Sequence, residues 1–211
     1  MIHIPKIPFL TLSFLVFFGS ICLYAQNNQA SDYLVLRTSD TLYGKVEHIK
    51  EGGFGGRRFY KKIRITNARG KTKKYQRRDV SSFSVDGVVF ESFWLYQESQ
   101  SLITGALGNP KYTMDPNQGE QHFLRVVSKG RLSHYQLEWF EQGNSTLWSM
   151  SLLKKEKDAF LIRADQGLFG LKRKVLQRYF ADCPELGKAI QQKQIRKVRQ
   201  VVEWYNDSCM Q

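Results

Sequence analysis

Apolar and polar positions along the chain change period twice. From residue 33 to 163 the apolar positions come in short runs with strand-like spacing, punctuated by turn residues. Residues 33–37 and 41–49 flank a turn at Thr38-Ser39-Asp40 and read as a hairpin, with Leu42, Gly44 and Val46 on one face. Residues 59–66 and 71–76 form the next pair across Asn67-Ala68-Arg69-Gly70, a strong turn signal. Ile63 and Ile65 alternate there with Lys62, Arg64 and Thr66, the pattern of a strand buried on one side. Asp86-Gly87 joins 79–85 to 88–95, and 122–127, 132–140, 146–153 and 160–163 continue the series. Residues 97–121, with Gly105, Gly108, Asn109-Pro110 and Asp115-Pro116, read as a long surface loop. Gly52-Gly53-Phe54-Gly55-Gly56 is also a loop. It lacks the G-x-G-x-x-G order and the Lys-Ser/Thr pair of a phosphate cradle.

Beyond Gly167 the spacing becomes helical, with Leu168, Leu171, Val175, Leu176, Tyr179 and Phe180. Pro184 suits a first helical position and opens a short helix over 184–193. A longer helix over 195–206 carries Val198, Val201, Val202 and Tyr205 on its apolar face. The expected fold is α+β: an antiparallel sheet or barrel-like domain over 26–165, then two or three helices over 166–211 packed on it.

The third stretch is the beginning. Lys6 precedes an apolar run over 7–18, Gly19 and Ser20 interrupt it, and Ala25 is a small residue before Gln26. That is the order of a cleaved secretory signal over residues 1–25. An uncleaved membrane anchor is the alternative, since spanning takes roughly 20 apolar residues. Pro8, Thr11, Ser13, Gly19 and Ser20 make the segment poor for that role, and Gly19-Ser20-Ile21 before Cys22 lacks a lipoprotein pattern. No long apolar segment recurs after the leader, so no transmembrane helix is expected in the mature chain.

Hydrophobic residues make up 42% of the chain and aromatic residues 13%, enough for a packed core. The net charge of +13 is unevenly placed. Eleven cations and no acid lie between positions 57 and 78: Arg57, Arg58, Lys61, Lys62, Arg64, Arg69, Lys71, Lys73, Lys74, Arg77 and Arg78. Alternation with Ile63 and Ile65 points these cations outward as a stripe, with Tyr60 and Tyr75 as flat contacts. A second group, including Lys172, Arg173, Lys174, Arg178, Lys188, Arg196, Lys197 and Arg199, falls in the helical region. Such fields favour anionic surfaces. An exported protein rarely meets nucleic acid, so the expected partners are anionic lipid, polysaccharide or an acidic envelope protein. The bland alternative is a solvated face that keeps the protein in solution.

With Cys22 in the leader, the mature chain holds Cys183 and Cys209. An even number in an oxidising compartment suggests a disulfide. If 184–193 and 195–206 form an antiparallel hairpin, the two cysteines flank neighbouring helix ends. Two buried free thiols or a redox pair are the alternatives, although the C-x-x-C of a redox pair is absent.

The segment Ser39-Asp40-Thr41-Leu42-Tyr43-Gly44-Lys45-Val46 resembles the GDT-x-x-G-K-I opening of exported Bacteroidota proteins, with Ser39 in place of the usual glycine. The end, Tyr179-Phe180-Ala181-Asp182-Cys183-Pro184-Glu185-Leu186 through Trp204-Tyr205-Asn206 to Cys209, is similar to the tail of many of the same proteins. The resemblance implies lineage and export; the expected location of the exported chain is the periplasm, the outer-membrane periphery or outside the cell. It implies no mechanism.

No cofactor motif, paired metal spacing or nucleophile elbow accompanies His48, His122 and His134. Glu91, Glu138 and Glu141 could meet only through the fold. A non-catalytic binding module with a basic β face is therefore the leading expectation. An assembly component using Phe90, Phe93, Trp94, Tyr96 and Trp139-Phe140 is the second, and a hydrolase the third. Peptide maps of the oxidised protein should contain a linked Cys183–Cys209 peptide that reduction removes; two freely alkylated thiols would refute the pairing.

Overall fold

The computed structural model describes residues 32–48, 62–97, 111–140, 146–167 and 169–209. The leader with Cys22, the glycine loop 52–56, Arg57, Arg58, Lys61 and Glu141 lie outside the described residues. The strands are β1 (Tyr33–Leu36), β2 (Thr41–Tyr43), β3 (Lys45–His48), β4 (Lys62–Thr66), β5 (Thr72–Gln76), β6 (Val80–Val85), β7 (Val88–Gln97), β8 (Lys111–Met114), β9 (Glu120–Ser128), β10 (Leu132–Phe140), β11 (Leu147–Lys155) and β12 (Phe160–Arg163). Three helices follow: α1 (Arg173–Tyr179), α2 (Pro184–Gln191) and α3 (Val198–Ser208). The α+β architecture expected from the sequence is the one observed.

Six strands in the order β7-β8-β12-β11-β10-β9 close into an antiparallel barrel, because β9 returns to pair with β7. Strand β7 is long enough to serve two sheets. Its residues 88–91 pair with β6, and β6 leads on to β1 and β2. Its residues 95–97 pair with β8, while 90–95 pair with β9 along the opposite edge. A separate sheet, β3-β4-β5, packs on the β1-β6 extension.

The turns are those the sequence signals. Asp86 and Gly87 take φ of 50° and 76°, the mirror-image turn that fits two twisted antiparallel strands. Asn67 Oδ1 accepts from the Arg69 and Lys71 amides and closes the β4–β5 turn. Two expectations are corrected. The run 41–49 is not one strand: the chain breaks at Gly44 (φ 153°), so β2 and β3 join different sheets. A Cβ at Gly44 would collide with the Thr66 carbonyl. The run 97–121 is not all loop either, for Lys111–Met114 is β8 and completes the barrel between β7 and β12.

Three clusters make the core. Leu95, Tyr112, Leu124, Tyr135, Leu152 and Leu161 fill the barrel. Leu34, Val46, Ile63, Ile65, Val80, Phe83, Phe90 and Phe123 fill the space under the three-stranded sheet. The helices bury Phe180, Leu186, Ile190, Val201 and Val202 against the outward-facing Leu132, Leu153 and Ile162. Strands β11 and β12 are thus buried on both faces, which is why Leu152-Leu153 and Leu161-Ile162 break strict alternation.

Polar contacts lock the helices down. Arg131 donates to the carbonyls of Tyr205, Asn206 and Cys209 at 2.9, 2.9 and 2.7 Å, satisfying the C-terminal end of α3 where a cation is favoured. Asn206 bonds both the amide and the carbonyl of Leu132. Cys183 and Cys209, which cap α2 and α3, are joined in a disulfide with Cα atoms 5.6 Å apart. Beside them Lys155 Nζ donates to Asp182 Oδ1 at 2.7 Å and to the Tyr179 carbonyl at 2.8 Å. It also lies 4.5, 5.5 and 5.4 Å from the ring centres of Tyr179, Phe180 and Tyr205.

Lys155→Met should keep the apolar stem but lose the charged hydrogen bonds and the ring contacts. The expected destabilisation is roughly 2–4 kcal/mol, read as a lower urea midpoint with the disulfide still formed. An unchanged midpoint would show that the caged ammonium contributes nothing.

Candidate functional site

The basic ribbon β4–β5 has two faces, fixed by its register. Arg64 lies opposite Lys74 and Glu47, Lys62 opposite Gln76, and Thr66 opposite Lys45 and Thr72. These residues share the outer face, where Glu47 bridges Lys45 at 3.1 Å and Arg64 at 3.7 Å. Ile65 lies opposite Lys73, and Ile63 opposite Tyr75, so Lys73 belongs to the inner face with the buried isoleucines. The single outward stripe expected from the sequence is therefore divided. Lys62, Arg64 and Lys74 sit together on one side of the sheet, and Lys73 sits on the other.

Lys71 is exposed at the start of β5, and Arg78 is exposed 3.9 Å from Asp79. Arg77 is committed to the fold. Its guanidinium donates to the Gln121 carbonyl, and Gln121 Nε2 donates back to the Arg77 carbonyl at 2.8 Å and to Ser92 Oγ at 2.7 Å.

Between β2 and β5 the sandwich is open along one side, leaving a groove of about 330 Å³. Leu42, Ile65 and Tyr75 form its floor, and Asn67, Lys71 and Lys73 line it. Lys73 Nζ lies 4.9 Å from the Tyr75 ring centre, and Tyr43 on the β2 wall is 65% exposed.

A cluster that sequence reasoning missed lies by the β9–β10 turn. Lys129 Nζ is 2.7 Å from both Glu91 Oε2 and Tyr135 Oη, and Tyr135 Oη is 3.1 Å from the same carboxylate oxygen. Burial works against the Lys129 charge, but the bonds to Glu91 and Tyr135 outweigh it and raise the pKa. Burial also raises that of the Tyr135 phenol. The adjoining cleft of about 420 Å³ is lined by Lys154 and Arg131 as well. Both are engaged, Lys154 with the carbonyls of Lys155 and Glu156, Arg131 with the end of α3. The three groups bring together residues up to 44 positions apart, and no local pattern signals that.

Of the candidate histidines, His122 and His134 are described and the His48 side chain lies outside the described residues. His122 lies 4.0 Å from Glu120, while His134 is buried on β10 with Nε2 lacking a hydrogen-bond partner. Glu138 pairs with Arg125 at 3.5 Å and Glu91 belongs to the Lys129 cluster. Among the described residues no three His, Cys, Asp or Glu side chains form a cluster able to hold a metal. Among them, too, no helix is long and apolar enough to cross a membrane.

The aromatic residues divide by depth. Phe90 stacks on Phe83 in the core, Phe93 meets Tyr135 edge-on, and Trp94 lies under the Arg37 guanidinium. Tyr96, Leu147 and Trp148 are exposed. In the helical region Lys174, Arg178, Lys188, Arg196, Lys197 and Arg199 are exposed, Lys172 and Arg173 are half-buried, and Arg199 pairs with Glu203 at 2.6 Å.

No protein-family model, curated protein or solved structure matches the chain.

Burial lowers the His134 pKa from 6.5 to about 4, against the smaller opposing pull of Asp165. Between these values only the unfolded imidazole takes up a proton. Stability should be full above pH 6.5 and fall by roughly 3 kcal/mol as the pH drops towards 4. His134→Gln should flatten that part of the profile in urea titrations at stepped pH; an unchanged slope would remove His134 as its source. Asp182 acts lower down. Burial opposes its charge, but hydrogen bonds from Lys155 and Tyr205 hold its carboxyl below the ordinary 3.8.

Proposed function

We propose that the protein is an exported, non-catalytic binding module of the cell envelope, holding an anionic partner on the outer face of its three-stranded sheet. The observation that carries this is the charge of that face: Lys45, Lys62, Arg64 and Lys74 share it, and Glu47 bridges Lys45 and Arg64. One carboxylate cannot neutralise both of those partners. The exposed Arg69 and Arg78 extend the same field around the β4–β5 turn and the end of β5. A rigid ribbon presenting fixed cations suits a repeated anion, either the phosphates of lipid headgroups or the acid groups of a polysaccharide.

The leader and the Cys183–Cys209 bridge support the exported setting, since disulfides persist in oxidising compartments. A second reading, an assembly component of the envelope, draws on the exposed Tyr96, Leu147 and Trp148.

The test is co-sedimentation of the oxidised protein with phosphatidylglycerol vesicles, beside retention on an acidic-polysaccharide column. Each Lys or Arg near an anionic membrane contributes about 1 kcal/mol, so Arg64→Gln with Lys74→Glu should weaken vesicle binding roughly thirtyfold. Raising the salt should weaken the wild type in the same direction. Binding to both matrices that ignores the substitutions and the salt would refute the reading. Preference for one matrix names the source of the anion.

A further inference from the structure

The groove between β2 and β5 lies on the other side of the three-stranded sheet from Arg64 and Lys74, and it carries a different chemistry. Both walls are sheet edges: among the described residues β2 pairs only with β1, and β5 only with β4. Along β2 the Asp40 carbonyl accepts from the Leu36 amide and the Gly44 amide donates to the Asp32 carbonyl. Backbone groups alternate in direction along a strand, so those of Thr41 and Tyr43 point away from β1, towards the open edge. An unpaired edge is a template for another strand. Here it borders an apolar floor of Leu42, Ile65 and Tyr75.

We propose that this groove receives an extended strand from another protein, one whose groove-facing side chains combine apolar and acidic groups. A strand sends successive side chains to opposite faces, with about 6.6–6.8 Å between neighbours on one face. The groove-facing row of such a ligand meets Leu42, Ile65 and Tyr75, and its carboxylates reach Lys71 and Lys73, which share that inner face. Its backbone pairs with the outward groups of β2. This is strand addition, in which main-chain bonds give affinity and side-chain pockets give selection.

Charge decides against a second copy as the occupant. The chain carries +13, and the lysines of β5 would face cations of their own kind. Lysine on an edge strand repels a basic edge and admits an acidic one. Charge alone would suit any polyanion. The open backbone edge and the apolar floor, which a polyanion does not use, favour a peptide. The inference goes beyond the outer-face reading and does not depend on it.

The experiment titrates the full oxidised protein, by calorimetry and amide NMR, with a capped heptapeptide whose first, third, fifth and seventh residues are Val, Glu, Val and Glu, with Ser between them. Two control peptides are used: one N-methylated at alternate amides, with the same charge and side chains, and one with Lys in place of Glu. The wild type should bind the parent peptide at least tenfold more tightly than either control, with shifts centred on Thr41, Tyr43 and Lys73. Lys71→Glu with Lys73→Glu should lose at least tenfold. Thr41→Pro, which removes one outward amide at the start of the strand, should lose a similar amount without touching charge. If that variant fails to fold, the N-methylated peptide still tests the backbone requirement. Arg64→Gln with Lys74→Glu should leave peptide binding intact while weakening vesicle binding, so the two faces fail separately. Equal binding of the N-methylated peptide, or no effect of the Lys71 and Lys73 reversals, would overturn the proposal.

Discussion

Strand β7 is the constraint on which the remaining architecture turns. Its ten residues must satisfy β6 and β8 in succession along one edge and β9 along the other. Closure of the barrel needs the second half of the strand, and attachment of the β1-β2-β6 extension needs the first. Because side chains alternate, Phe93 and Leu95 enter the barrel while Phe90 enters the neighbouring core. A slip of one residue would exchange those two sets and empty both cores together. The tight Asp86-Gly87 turn fixes the register at its start and so protects a large share of the fold.

The helical region depends on that barrel rather than folding beside it. Its apolar side chains find their partners in Leu132, Leu153 and Ile162, which face outward from three barrel strands. Around this seam the polar groups are paired locally. Lys155 answers Asp182, Tyr179 takes a bond from the Lys155 amide and gives one to Asp158, and Tyr205 donates to Asp182. Burial and the bond to Asp182 push the Tyr205 phenol up to about 12, so this hydroxyl keeps its proton across the ordinary range.

Much of the fold was legible because its signals are local. The Asn67 to Gly70 turn and the Asp86-Gly87 turn announce positive-φ geometry, and the bounds of β10 and β12 match the apolar runs over 132–140 and 160–163. Strand β8 was hidden because four residues bracketed by Pro110 and Asp115-Pro116 carry the composition of a loop. Only pairing with β7 and β12 makes them a strand. Helix α3 begins three residues later than its pattern suggested. Ile195 is buried yet non-helical, after Lys193 takes a φ of 63°. The site was half legible. In β4 the isoleucines declare which cations face out. In β5, Thr72-Lys73-Lys74-Tyr75-Gln76 offers one aromatic and no alternation, so the face of Lys73 follows from its pairing with Ile65.

The bonds from Arg131 and Leu132 to the end of α3 span 74 to 78 positions of sequence. The β9–β10 turn therefore acquires these partners only when α3 has been made, however early its strands come together. Contacts so distant in sequence are slow to form, since the loop entropy must be met first. A nascent chain halted before α3 would hold a barrel with one flank bare, its apolar Leu132, Leu153 and Ile162 open to whatever lies nearby. Docking of α3, and not collapse of the barrel alone, is what covers that flank.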